Sequence, residues 1–176
     1  RQTVRSEIEH LSPHLIGDLL KQEAVDIIAV RDINGYVDVI SRRGEARLKL
    51  DGHSIHYELK GSDPFGYGRL PADLDPQKSL DLTMESAYPD APFQIAHLFT
   101  SHRSGDMVLS ARPGFDLRLR YENPEHHASH GSLAREHMMV PLLCNKPYAL
   151  RPARTADVFP TILRELGIAI PGYIDG

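Results

Sequence analysis

Tryptophan is missing from this sequence, and cysteine occurs once, as Cys144. A lone thiol cannot close a disulfide within the chain, so nothing points to a cross-linked fold built for an oxidising compartment. No apolar run approaches the roughly 18–20 residues that a membrane span needs. A basic surplus is lacking as well. The 20 Lys and Arg are interspersed among 24 Asp and Glu, for a formal charge of −4. That argues against binding a nucleic acid polymer through its phosphates. Repeats and low-complexity tracts are absent. So are an initiating methionine and a signal peptide. The chain enters a helical pattern directly at Arg1 and stops in a turn-like segment at Asp175-Gly176. We read both ends as cut, which makes the chain a fragment of a larger protein and leaves its compartment and oligomeric state open.

What is present describes one globular unit. The 176 residues are 41% hydrophobic and 25% charged, enough to bury a core. Val4, Ile8, Leu11, Leu15 and Leu19 recur every three or four residues, the apolar stripe of a helix lying on that core. Pro13 splits it, with the second piece starting near Ser12. Residues 25–31 form a short apolar run and read as a buried strand. Asn34-Gly35 is a turn signal, and three alternating segments follow it over residues 36–59, broken at Gly44 and at Asp51-Gly52. This is an antiparallel meander, a small exposed sheet with one wet face.

Residues 61–89 are dense in glycine, proline and aspartate and carry no sustained period, so they read as a long irregular excursion. Asp90 is placed to cap a helix with Pro92 in its first turn and Phe93, Ala96, Leu98 and Phe99 as apolar positions. Residues 106–111 read as a buried strand that Asp106 initiates. Residues 138–144 form another strand-like run despite Pro141. Cys144 falls in it and is expected to be a buried, inert thiol. Asp157 is placed to cap a last helix. There Pro160 occupies the third position at no cost in hydrogen bonds, Ile162, Leu163 and Leu166 pack inward, and Gly167 ends the helix. Strand–helix alternation in this half predicts α/β architecture.

Four of the ten histidines, His126, His127, His130 and His137, crowd into residues 125–137 with Glu125 and Glu136. Neutral imidazoles suit zinc, and flanking carboxylates can orient them. Spacing alone leaves two readings open, a zinc site made by a bend in the loop or a solvated polar loop. His53 and His56 lie in the meander with unlike parities and have no evident role.

The order of several motifs resembles the alkaline phosphatase superfamily, most closely its type I phosphodiesterase/nucleotide pyrophosphatase branch. Residues 105–116 look like the strand and turn that lead towards the metal site. Ser129-His130-Gly131-Ser132 resembles the late His-Gly motif, and residues 136–143 resemble the strand after it. Residues 154–168, followed by Ile170-Pro171 and Asp175-Gly176, are similar to the helix that closes the catalytic domain. The resemblance implies that residues 105–176 are the C-terminal part of an alkaline-phosphatase-like domain, and that residues 1–104 are a meander with an insertion or cap-like region. It implies two divalent metal ions, commonly zinc, with His130 holding one of them. His126 and His127 would stand beside that ligand or on the substrate side. The substrate implied is a small-molecule phosphate ester, such as a nucleotide phosphodiester. No Thr/Ser-initiated nucleophile helix and no Asp-His-Gly motif occur in this chain, which implies that the nucleophile and the other ligands come from upstream segments. The isolated chain is then inactive. A sulfatase or phosphomutase relative is an alternative within the superfamily, although Cys-x-Pro-x-Arg is absent. A non-catalytic metal-binding module is an alternative outside it.

Overall fold

The computed structural model describes residues 2–117, 130–145, 152–172 and 174. Contacts along the chain gather into two units, one running to Pro141 and the other starting at Leu142.

The first unit is built on one sheet. Its strands are β1 (Val25–Arg31), β2 (Val37–Ser41), β3 (Glu45–Asp51), β4 (Ser54–Leu59), β5 (Asp73–Leu74) and β6 (Met107–Ala111), in the order β5-β4-β3-β2-β1-β6. All five pairings are antiparallel. With its helices the described chain is an α/β protein, as the alternation predicts. Strands β2 to β4 are the expected meander. It is entered through a turn in which Asn34 and Gly35 take φ of 59° and 77°, values that asparagine and glycine tolerate best.

One face of the sheet carries Ile27, Ala29, Val37, Val39, Leu48 and Ile55, with Leu50 packed against them. Val37, Val39, Leu48 and Leu50 share that face because side chains two apart point the same way. Helix α4 (Ala91–Leu98) covers it through Ala91, Ile95 and Phe99, spaced one turn apart. The other face, over β1 and β2, carries Ile28, Val30 and Ile40. Ile8 of α1 (Arg5–Leu11) and Ile16, Leu19 and Leu20 of α2 (Leu15–Lys21) pack there. The stripe is split around Pro13 as expected, although the second piece starts at Leu15 rather than near Ser12. A register shift between Val25 and Ile27 changes the parity of β1, so Val25 joins Ile28 and Val30.

Several expectations are corrected. The meander is not a small exposed sheet, since all five residues of β2 are buried. The physical reason is α1 and α2, which cover the face that alternation marks as wet. A polar face survives only on β3 and β4, through residues such as Arg47, Lys49, His56 and Glu58. Residues 61–89 are not wholly irregular. They hold β5 and the helix α3 (Pro76–Thr83), whose first turn is capped by Asp75 accepting the Lys78 amide at 2.8 Å. Asp90 precedes α4 but makes no side-chain cap. Its backbone is left-handed (φ 58°), and its carboxylate accepts from Gln94 Nε2 at 2.8 Å. Leu98 is exposed. Residues 138–144 form no strand, because Pro141 has no N–H for a ladder. Val140, Leu142 and Leu143 are exposed, and so is Cys144.

In the second unit a 3-10 turn (Thr155–Asp157) leads into α6 (Val158–Glu165), with Pro160 at the third helical position. Asp157 closes the preceding turn, accepting the Arg154 amide at 2.6 Å, and does not cap the helix. Ile162 and Leu166 do not pack inward, being 49% and 68% exposed. Among the described residues this unit has no second helix or strand on which they could be buried. No helix among the described residues is long and apolar enough to cross a membrane.

Candidate functional site

The geometry around His130 begins on β6, an edge strand of the sheet. Ser110 is buried there at 6% exposure, and its Oγ accepts the Leu133 amide at 3.0 Å. Ser132, also buried, accepts the Ala134 amide at 3.2 Å and lies 2.6 Å from His137 Nδ1. A short helix, α5 (Arg135–Met138), follows at once. The Arg135 amide donates to the Ala87 carbonyl at 2.8 Å. Its guanidinium donates to the Met84 carbonyl and to Glu85. Residues 132–135 are thus tied both to the end of β6 and to the chain that leaves α3.

His130 and Gly131 stand immediately ahead of this anchored stretch. Gly131 has φ 97°, a conformation strained for any residue with a Cβ, although the space around it is open. Glycine is required here for the turn, not for room. The turn separates an exposed His130 from a buried Ser132. Such an imidazole is available to a ligand while its C-terminal neighbours are held.

Tyr88, Pro113, Ala134 and Met139, with Arg135 and Glu136, line an open cleft of about 480 Å³ beside that stretch. Its size is within the small-molecule range. The Tyr88 hydroxyl donates to Asp26 Oδ2 at 2.8 Å. Burial, reinforced by that carboxylate, pushes the Tyr88 phenol up to about 12. Arg43 pairs with Asp26 Oδ1 at 2.9 Å and lies over the Tyr88 ring. Tyr88 is therefore a fixed wall of the cleft, held by Asp26 and Arg43. On the far side of the sheet His56 Nδ1 faces Asp73 Oδ1 at 3.1 Å, across the β4–β5 pairing.

Of the residues singled out from sequence, His130 is on this held turn, while His126 and His127 lie outside the described residues. Among the described residues no three of His, Cys, Asp and Glu gather closely enough to hold a metal ion. A two-ion centre is therefore not built from them. At His130 itself they show one exposed imidazole. Sequence reasoning missed Ser110, Ser132 and the pairing of His137. The one available signal was a serine shortly before a helical segment, where its hydroxyl meets free amides.

Comparison with protein-family models, with curated proteins and with solved structures returns no match.

Proposed function

We propose that this chain is the C-terminal part of a metal-dependent phosphodiesterase or phosphatase with an alkaline-phosphatase-like catalytic domain. His130 supplies one ligand to one of two divalent ions, with zinc as the expected metal. The substrate is a small-molecule phosphate ester such as a nucleotide phosphodiester. The observation that supports this reading is the turn at Gly131, which presents an exposed imidazole on a segment anchored through Ser110, Ser132 and Arg135. A solvated loop has no need of buried hydroxyls holding it in place. When bound, zinc supplies positive charge to the phosphoryl oxygens and makes a bound hydroxyl more acidic. His130 contributes a nitrogen lone pair, and the anchored residues hold the backbone that follows it. For His126 and His127, which lie outside the described residues, the resemblance implies only an accessory role, beside the ligand or on the substrate side.

The test compares His130→Ala with His126→Ala in the full-length protein, measuring bound zinc and turnover of bis(p-nitrophenyl) phosphate. Loss of a residue that merely orients a ligand typically costs about 10–100-fold in affinity or activity, so His130→Ala should cost at least that. His126→Ala should keep most of both. Full zinc and an unchanged rate in His130→Ala would return the segment to a polar surface loop.

A further inference from the structure

We propose that a second cleft, where β5 parts from β4, binds a small zwitterion, an α-amino acid with an apolar side chain. It shares no residue with the cleft beside the Gly131 turn and stands whether or not His130 holds a metal. Strand β5 pairs with β4 only at Ile55 and His56, and the Ala72 carbonyl ahead of it accepts the Tyr57 amide at 2.7 Å. Beyond that point the pairing stops, and a cleft of about 390 Å³ opens, with His56, Glu58, Leu59, Arg69 and Leu70 in its lining. The Lys60 amide donates to the Glu45 carbonyl at 2.8 Å, so Ala46 and Leu59 are the non-bonded pair beside it. The Leu59 N–H therefore turns away from β3, to the open side of β4. Arg69 is exposed, and its guanidinium has no hydrogen bond or ion pair among the described residues. Its backbone is nonetheless held. Asp63 accepts the Tyr57 hydroxyl and the Phe65 amide at 2.8 Å and the Tyr67 amide at 2.9 Å, and the Tyr67 hydroxyl donates to the Tyr88 carbonyl. Gly68 (φ 81°) then turns the chain into Arg69. Ordering a loose loop would cost affinity, but this one is held before a ligand arrives. A guanidinium beside a backbone N–H suits a carboxylate. Glu58 is exposed, and the Arg47 opposite it is taken by Asp32 and Asp38, so its carboxylate is open to an ammonium. Leu59, 40% exposed, and Leu70 offer apolar surface to the side chain. A phosphate dianion fits worse, because Glu58 would repel it.

The experiment titrates the full-length protein with L-leucine and follows the amide chemical shifts of Leu59 and Arg69. Two truncated probes run beside it, isocaproate without the ammonium and isoamylamine without the carboxylate. L-leucine should bind, and each truncated probe should bind about tenfold or more weakly, the loss expected when a charge-assisted hydrogen bond is left unmade. Arg69→Ala should weaken L-leucine by about tenfold or more. Glu58→Gln should weaken L-leucine while leaving isocaproate unchanged. Both side chains are exposed, so the melting temperatures of these variants should stay at the wild-type value. Amide shifts that do not move with L-leucine up to about 10 mM overturn the proposal. So does unchanged L-leucine affinity in Arg69→Ala, or isocaproate that binds as tightly as L-leucine.

Discussion

Substituting alanine for Asp38 removes a carboxylate that is 1% exposed in the middle of β2. Oδ2 accepts from Arg5 at 2.9 Å, and Oδ1 accepts from Arg47 Nε at 2.8 Å. The first bond joins α1 to the sheet and the second joins β2 to β3. Truncating one partner of a buried ion pair typically costs about 3–5 kcal/mol, because opposing charges are left without a match. The guanidinium groups here are not fully stranded, since Arg5 keeps Glu9 and Glu45 and Arg47 keeps Asp32. We therefore expect the lower end, about 3 kcal/mol. With a urea slope of about 2 kcal/mol per molar, the unfolding midpoint should fall by about 1.5 M. The pH dependence identifies the cause. Burial alone pushes the Asp38 carboxyl up, but the bonds from Arg47 and Arg5 outweigh it and hold the group below the usual carboxylate range. A carboxyl lowered in the folded state stabilises fully above its unfolded value, near pH 4, and loses that contribution as pH falls through its folded value. Equilibrium urea unfolding of wild type and Asp38→Ala should thus differ by a constant amount from about pH 7 to 5 and converge below about pH 4. A midpoint shift too small to resolve at pH 7, or a difference that widens on acidification, would refute this reasoning.

Two further substitutions or modifications probe other parts of the fold. A Cβ at Gly44 would lie 1.8 Å from the Ser62 carbonyl oxygen, which itself accepts the Glu45 amide at 3.1 Å. Backbone cannot yield as a side-chain tip can, so Gly44→Ala should lose about 1–3 kcal/mol, the usual cost of overpacking. A thermal melt matching wild type would sink that expectation. Cys144 is exposed, so a thiol-specific chromogenic disulfide should titrate one thiol in native buffer as completely as in denaturant. A thiol that reacts only after unfolding would show that residue buried.

Strands β1 to β4 and β6 were legible because each local pattern agrees with the packing, whereas β5 was missed and residues 138–144 form no strand. Alternation over residues 36–59 and the turn at Asn34-Gly35 define β2 to β4, and Val37, Val39, Leu48 and Leu50 lie on one face as their parity requires. The burial of β2 was not legible, because Asp38 reads as a solvent-facing residue in an alternating strand. Only Arg5, 33 residues earlier, and Arg47 on the neighbouring strand make a buried aspartate tolerable there. Helix α3 announced itself through Asp75-Pro76, a cap followed by a proline at the first helical position, but the glycine and proline around it obscured the signal. At the candidate site the same distinction holds. His130 and Gly131 are adjacent and form a pattern by themselves, whereas Ser110 has no period and no partner nearby in sequence, and Ser132 meets Ala134 and His137 only once the chain turns into α5. Ser110 meets the Leu133 amide 23 residues away, and it does so only because β6 pairs with β1 at the edge of the sheet. A serine in a strand is usually depleted of meaning by its small side chain. Here its burial at 6% exposure and its long-range acceptor role turn a strand residue into the anchor for a turn. The anchoring of the stretch that follows His130 therefore depends on sheet order, which neither strand encodes alone. Exchanging apolar residues within β6 should disturb the site whenever it shifts that pairing, even though none of them touches His137 or Ser132 through a hydrogen bond.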